Sequence, residues 1–221
     1  MQPQLQQLME SGALWQGHQS QAHDAVRAST GDALLDQALA GGWVRGRVHE
    51  LQLPHSFCGE LTLFGPAMQQ AAKQGVPIFW IAPPAIPNAP ALASMGENAQ
   101  HIVLSPIQAS DALWAAETIL HSRQAGMILL WAKDLSATAT RRLHLAASES
   151  DAFVFVLTGW QPEDARSYGT RLRLHHENEY IQWQLLKRHG GWPIRMPRQP
   201  LPTWLRYTDK PSSNTAGAMI N

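Results

Sequence analysis

Residues 29–64, STGDALLDQALAGGWVRGRVHELQLPHSFCGELTLF, decide the fold of this 221-residue chain. Val48 to Leu53 form a strand candidate, and a helix is predicted from about Leu61 to Gln74, before Gly75. The residues between them form a loop that leads from the strand into the helix. A strand, a loop and a helix in this order predict the first unit of an α/β domain.

The start of this stretch resembles the opening of a RecA-type recombinase core. The resemblance rests on Ser29-Thr30-Gly31, Leu35-Asp36, Leu39, Gly41-Gly42, Gly46-Arg47 and Val48-His49-Glu50-Leu51. In that family the strand is followed by a phosphate-binding loop, G-x-x-x-x-G-K-[ST]. Its backbone N–H groups, lysine and hydroxyl hold the phosphates and Mg²⁺. The resemblance therefore implies a RecA-like fold of the P-loop-NTPase type.

The residues at the loop positions do not fit a nucleotide. Leu53 stands at the first glycine, and one residue is inserted before Gly59. Glu60 and Leu61 then occupy the lysine and Ser/Thr positions. A carboxylate at the lysine position repels phosphate groups, which carry the same sign of charge. We therefore expect a degenerate phosphate loop in which Glu60 faces the place where phosphates would lie.

Two other parts of a RecA-type active site are also missing. In that family the second buried strand ends in an acidic residue that organises Mg²⁺, whereas here the strand MILLW ends in Trp131. The prolines of WIAPPAIP, residues 80–87, stand where a glutamate activates water in the family. With three elements replaced, we expect no enzymatic activity, no catalytic residue and no bound cofactor.

The middle of the chain alternates buried-strand patterns with helical ones. Continuous apolar runs, typical of strands covered on both faces, lie at residues 76–81, 127–131 and 153–157. Helices are predicted at about 91–95, from Ser110 or Asp111 to before Gly126, and from Asp134 or Ser136 to Ala147. This alternation predicts a mainly parallel, twisted sheet with helices on both faces.

Toward the C-terminus the pattern changes. Residues 171–175 and 181–187 nearly alternate in polarity around a polar turn, which predicts an antiparallel hairpin at the sheet edge. From about Pro193 the chain is rich in proline and polar residues, and we expect a disordered tail. The predicted organisation is an N-terminal helix and attachment segment at 1–28, a RecA-like core at 29–192 and a tail at 193–221.

Charge is unevenly distributed in a chain that is neutral overall. From Arg166 to Lys210 there are nine Lys and Arg against three Asp and Glu. Such a region suits nucleic acid or an acidic partner, but a solvated surface gives the same composition. Arg166, Arg171 and Arg173 are candidates for weak, direct contacts with DNA phosphates. We favour the alternative that Arg171 and Arg173 form the solvated face of a strand.

The protein is predicted to be cytoplasmic. Its single cysteine, Cys58, cannot form an intramolecular disulfide, which favours a reducing compartment. The N-terminus lacks the basic and apolar regions of a secretory signal. No run approaches the ~18 apolar residues that a membrane span needs, so we expect no membrane association through a spanning helix.

Four further segments follow one another along the chain: W-I-A-P-P-x-x-P-x-A-P-A-L at 80–92, D-A-L-W-A-x-E at 111–117, R-R-L-x-L-A-A at 141–147 and L-L-K-R-H-G-G at 185–191. Together they resemble the ImuA family, which belongs to a SulA/RecA-like group tied to translesion DNA synthesis. Each segment alone is weakly specific, whereas their order and spacing are specific. The similarity covers roughly residues 14–192.

The resemblance implies an SOS-induced, non-catalytic partner of ImuB and of an error-prone DnaE-type polymerase that also contacts RecA. The alternative is a SulA-type division inhibitor that binds FtsZ, which shares the core. Leu14-Trp15 and the LLKRHGG segment favour ImuA. An enzyme alternative, a nucleotide-dependent recombination factor, is disfavoured by Glu60 and Trp131.

The ends of the chain are predicted to hold partner-binding segments. Leu14 and Trp15 follow a short amphipathic helix, and Trp204 and Leu205 form an apolar island in the predicted tail. An indole in a polar segment usually has a partner surface, although each island could instead fold back onto its own domain. The histidines show no metal-ligand spacing, and we expect no metal site.

Overall fold

The computed structural model describes residues 26–95, 99–161, 166–177 and 180–200. They form an α/β structure in which a mainly parallel mixed sheet is flanked by helices. This architecture is compatible with a Rossmann-like or RecA-like fold.

The elements alternate along the chain much as the hydrophobic pattern predicts. The helices are α1 (Ala33–Ala38), α2 (Gly65–Lys73), α3 (Ala89–Met95), α4 (Ala109–Ser122) and α5 (Ala137–Ser148), with a 3₁₀ helix at Glu60–Phe64. The strands are β1 (Arg27–Ala28), β2 (Trp43–Val44), β3 (Val48–Gln52), β4 (Ile78–Ile81), β5 (His101–Leu104), β6 (Met127–Trp131), β7 (Phe153–Thr158), β8 (Thr170–His176), β9 (Tyr180–Lys187), β10 (Ile194–Arg195) and β11 (Gln199–Pro200).

Within the described residues, nine of these strands form one sheet. The order is β10-β9-β8-β3-β7-β6-β4-β5, and β11 also pairs with β9. The strands from β8 to β5 in this order are parallel, while β9 is antiparallel to β8, β10 and β11. The carboxyl ends of the parallel strands therefore lie along one edge, where α/β proteins place their ligands.

Each face of the sheet is covered by its own hydrophobic layer. One layer joins α1, α2 and α3 to the sheet and includes Leu35, Met68 and Phe155. The other layer joins α4 and α5 to the opposite face and includes Leu120 and Leu143. The central strands β6 and β7 are apolar on both faces because helices cover both.

The opening motif Ser29-Thr30-Gly31 binds the first helix. The Asp36 carboxylate accepts hydrogen bonds from Ser29 Oγ at 2.5 Å and from the Thr30 N–H at 2.7 Å. Asp32 caps α1 by accepting from the N–H groups of Leu34 and Leu35. The polar residues of this motif therefore stabilise a helix start.

Two helix starts differ from the sequence expectation. The helix predicted from about Leu61 begins instead as the 3₁₀ helix and becomes α-helical at Gly65. Neither Ser110 nor Asp111 caps α4, since the N-cap is Gln108 and its side chain makes no capping hydrogen bond. Ser136 does cap α5, by accepting from the Ala139 N–H at 3.1 Å.

The sheet continues beyond the predicted end of the core. β8 and β9 are joined in an antiparallel pair, and β10 and β11 then add to the far side of β9. Met196 is buried, with 7% of its surface exposed. Residues 194–195 and 199–200 therefore belong to the sheet, because they pair with β9 in a segment that composition alone assigns to a tail.

Among the described helices, none is both long and apolar enough to cross a membrane.

Candidate functional site

The loop after β3 lies at the position expected for a phosphate-binding loop. It runs from Leu53 to Gly59 and leads into the 3₁₀ helix that precedes α2. Gly59 has a φ of 88°, a left-handed conformation that side chains rarely adopt. Leu53 is buried, and its N–H donates to the carbonyl oxygen of Thr158 at 2.8 Å. The first position of the motif therefore continues the sheet pairing.

The Glu60 side chain turns back into this loop. Only 2% of its surface is exposed, and its Oε1 accepts a hydrogen bond from the Phe57 N–H at 3.2 Å. The Glu60 carboxylate therefore lies against the backbone of the loop. An N–H of the loop, which a phosphate-binding loop uses for its ligand, is bound here by the protein's own carboxylate.

Cys58 lies beside this carboxylate and is buried. Burial, together with the neighbouring negative charge of Glu60, raises the pKa of the Cys58 thiol to about 12. A thiol with such a pKa remains protonated at neutral pH. The Cys58 thiol is therefore a poor nucleophile at neutral pH.

Trp131 ends β6 at the edge where an acidic residue would organise Mg²⁺. Its ring stacks on Trp80 with the centroids 5.8 Å apart and the planes 15° apart. Its indole Nε1 is buried and has no hydrogen-bond partner. Leu61, at the Ser/Thr position of the motif, is half-buried against the core. The two positions that would organise Mg²⁺, Leu61 and Trp131, carry an apolar and an aromatic group.

A cleft of about 810 Å³ opens at the carboxyl edge of the sheet. Its lining comes from the loops that follow β3, β4, β5, β6 and β7, together with the first residues of α4 and α5. The walls are largely apolar and include Leu113, Leu130 and Leu135. Sequence reasoning missed this cleft, although the buried strand pattern contains the signal, since ligands bind outside the carboxyl ends of parallel strands.

A buried polar network joins β3 to β8. Arg171 Nε donates to Glu50 Oε2 at 2.6 Å, and Arg173 Nε donates to Gln52 Oε1 at 2.9 Å. Only 4% of the Arg171 surface is exposed, and Arg173 is half-buried. The expectation that these arginines form a solvated strand face is wrong. Two polar residues on β3, Glu50 and Gln52, provide the partners that keep the arginines inside.

The loop after β7 places an aromatic side chain over β8. Trp160 is 52% exposed, and its ring centroid lies 5.1 Å from that of His175. The Arg173 guanidinium carbon lies 5.4 Å from the Trp160 centroid. Arg166 makes an ion pair with Asp134 at 3.4 Å. Each of the three arginines proposed for DNA phosphates thus contacts other groups of the protein.

Histidines of separate elements come together without forming a metal centre. His55 Nε2 lies 3.4 Å from His176 Nδ1, although the two residues are 121 positions apart in sequence. In the part of the chain that the structure describes, no group of three or more His, Cys, Asp or Glu could hold a metal ion. Desolvation and the neighbouring His55 lower the pKa of His176.

The proposed attachment residues Leu14, Trp15, Trp204 and Leu205 lie outside the described residues.

Comparison with models of known protein families gave no match, and comparison with curated proteins also gave no match.

Proposed function

We propose that this protein is a non-catalytic, RecA-like adaptor of damage-induced translesion DNA synthesis, of the ImuA type. It acts in the cytoplasm and connects ImuB, an error-prone DnaE-type polymerase and RecA. The observation that carries the non-catalytic part is the contact between Glu60 and the Phe57 N–H at 3.2 Å. The four ordered motifs and the opening stretch support the assignment to this family.

The electrostatics of the loop argue against a nucleotide. A phosphate-binding loop works because its N–H groups are unpaired and its net local charge is positive. Here a carboxylate already accepts from the loop, and its negative charge opposes the entry of a phosphate. Trp131 supplies no oxygen ligand for Mg²⁺, which prefers carboxylates and waters. The carboxylate of Glu60 thus disfavours phosphate binding, and Trp131 separately disfavours Mg²⁺ binding, so each change opposes nucleotide hydrolysis.

The surface of the two outer helices supports a role in protein contacts. Trp114 on α4 is 66% exposed and Leu145 on α5 is 54% exposed, although both elements pack their other sides into the core. Both residues belong to the motifs that carry the family resemblance. A contiguous exposed apolar patch marks a partner-binding surface, and Trp114 and Leu145 are the candidates for such a patch on α4 and α5.

The decisive experiment for the adaptor function is genetic. Deletion of the gene should lower the frequency of damage-induced mutation, and expression of the wild-type chain should restore it. Overexpression should leave cell division normal. Filamentation through inhibition of FtsZ, with an unchanged mutation frequency, would instead assign the protein to the SulA-type alternative.

A binding assay then tests the predicted anchor in the N-terminal segment. Trp15→Ala should weaken capture of ImuB or RecA about thirtyfold, because truncating a buried interface anchor costs about 2 kcal/mol or more. Trp192→Ala is the control, since Trp192 is 86% exposed and lies outside the N-terminal segment, at the residue after the last motif. Equal affinities for the two variants would contradict the N-terminal anchor.

A further inference from the structure

The cleft at the carboxyl edge of the sheet is bounded by the amino ends of two long helices. Gln108, Ala109 and Ser110 at the start of α4 line it, as does Ser136 at the start of α5. The first N–H groups of an α-helix have no partner within the helix, and the helix dipole makes that end positive. Both features favour an anionic group near the starts of α4 and α5.

The start of α4 leaves its backbone donors uncapped. Its N-cap residue Gln108 makes no side-chain hydrogen bond to the helix, whereas Ser136 caps α5 through the Ala139 N–H. The N–H of Ser110, the second residue of α4, thus lacks the intramolecular acceptor that a Ser, Asp or Asn cap supplies.

An independent observation in the same cleft points to a ligand. Thr158 lines the cleft with only 5% of its surface exposed, and its Oγ1 has no hydrogen-bond partner. Trp131 also lines the cleft, and its buried Nε1 has no partner. Buried polar atoms in folded proteins are nearly always hydrogen-bonded, so the orphaned hydroxyl of Thr158 calls for a partner. The Trp131 ring packs with the layer on the other face of the sheet from α4 and α5.

Charged groups of both signs border the cleft, and Asp111 in the first turn of α4 accepts from Ser110 Oγ at 3.3 Å. Lys133 lines it and is exposed, while the neighbouring Asp134 makes an ion pair with Arg166 at 3.4 Å. The negative charge of Asp134, the one carboxylate in the described lining, is therefore neutralised by Arg166. The remaining walls are mostly aliphatic, and the volume of about 810 Å³ falls within the range of small-molecule sites.

We propose that this cleft binds a small organic carboxylate with an aliphatic body. The carboxylate lies at the start of α4, where it accepts from the N–H groups of Ala109 and Ser110, and it extends toward Thr158 Oγ1. The aliphatic part packs against Leu113, Leu130 and Leu135. This site is separate from the loop carboxylate of Glu60, and the proposal does not depend on the adaptor function.

A matched set of eight-carbon probes tests the chemistry. Octanoate, octan-1-ol and octylamine share an aliphatic chain and differ in carrying a negative, a neutral or a positive head group. Saturation-transfer NMR gives the affinity of each probe for the full-length protein. The shift of the Trp131 indole N–H, assigned with Trp131→Phe, reports occupancy of the cleft. Octanoate should bind saturably below about 10 mM and more tightly than the other two probes.

A proline substitution removes one donor without breaking the helix. Ala109 is the first residue of α4, and Gln108 before it has φ −110° and ψ 145°, which is compatible with a following proline. Ala109→Pro should weaken octanoate binding about tenfold through loss of one charge-assisted hydrogen bond. The matched control is Ala33→Pro at the first residue of α1, where Asp32 has φ −115° and ψ 115°.

A side-chain substitution then tests the buried hydroxyl. Thr158→Val keeps the shape of the side chain and removes the Oγ1, so octanoate affinity should again fall about tenfold. The proposal is overturned if octanoate does not bind below about 10 mM, or if octylamine binds as tightly as octanoate. It is also overturned if Ala109→Pro and Ala33→Pro bind octanoate equally well.

Discussion

The Nε atom of Arg171 lies 2.6 Å from Oε2 of Glu50, and the two residues are register partners on the neighbouring parallel strands β8 and β3. Both side chains are almost fully buried, at 5% and 1% exposure. Gln52 Nε2 donates to the same Glu50 oxygen at 3.0 Å. The pair is therefore shielded from water, and each charge depends on the other for its compensation.

Removal of one member of this pair should strongly destabilise the protein. Arg171→Met should lower the free energy of unfolding by about 3–5 kcal/mol, because Glu50 then remains as a buried charge without its cation. The double variant Glu50→Leu/Arg171→Met should recover most of this loss. Urea unfolding of the wild type, Arg171→Met and the double variant gives the free energy of unfolding of each.

The exposed pair of Arg198 and Glu177 provides the control for this comparison. Its atoms lie 3.4 Å apart, with 60% and 57% of the side chains exposed. Arg198→Ala should change the free energy of unfolding by no more than about 1 kcal/mol, since water screens such pairs. A loss for Arg171→Met as small as that for Arg198→Ala would show that the buried pair contributes little.

The wild-type protein should not bind Mg·ATP. Glu60 occupies a donor of the loop through Phe57, and Trp131 supplies no ligand for the metal. Glu60→Gln should behave in the same way, because the amide oxygen can keep the contact while Leu53 and Leu61 still replace the motif residues. Calorimetric titration of both proteins should show no heat of binding, and micromolar affinity in either would contradict the prediction.

The arrangement of strands and helices follows closely from the sequence. The apolar runs at β4, β6 and β7 have the right length and composition for strands covered on both faces, and local pattern determines them. The segment at 193–200 was harder to predict, because its order comes from pairing with β9 rather than from its own composition. The composition of a short segment does not predict that it will pair with a strand elsewhere in the chain.

The candidate site was predictable in its position but not in its contacts. The resemblance placed Glu60 in the loop, yet the direction of its side chain depends on the turn at Phe57, which has a φ of 64°. The burial of Arg171 depends on Glu50, which is 121 residues away in sequence. Alternating polarity predicts that a residue lies on one face of a sheet, but not whether a partner on the next strand neutralises it.

Gly42 is a position where an added methyl group should not be tolerated. Its φ is +100°, and a Cβ atom there would lie 2.1 Å from the carbonyl oxygen of Ala28. Gly42→Ala should lower the melting temperature by several degrees, because the backbone must shift and adopt a strained conformation. Gly159→Ala is the control, since its Cβ would meet nothing within 4 Å. Equal melting temperatures for the two variants would show that the backbone at Gly42 accommodates a Cβ atom.

His49 is a residue of β3 and is buried, with 1% of its surface exposed. Its Nε2 lies 2.9 Å from the Val44 carbonyl oxygen and 3.3 Å from the Val44 nitrogen. Burial lowers the pKa of His49 from 6.5 to about 4, and the positive charges of Arg47 and Arg27 act in the same direction. The hydrogen bond to Val44 opposes this shift only in part.

This lowered pKa predicts a loss of stability in acid. Because His49 binds a proton less readily when folded, the unfolded chain takes up more protons as the pH falls from 6.5 to about 4. The contribution of His49 to the free energy of unfolding is complete above pH 6.5. It falls by about 3 kcal/mol as the pH decreases from 6.5 to about 4. His49→Gln, which can keep the Val44 contact, should unfold in urea with a flatter dependence on pH. Parallel pH curves for the variant and the wild type would show that His49 does not titrate as its burial requires.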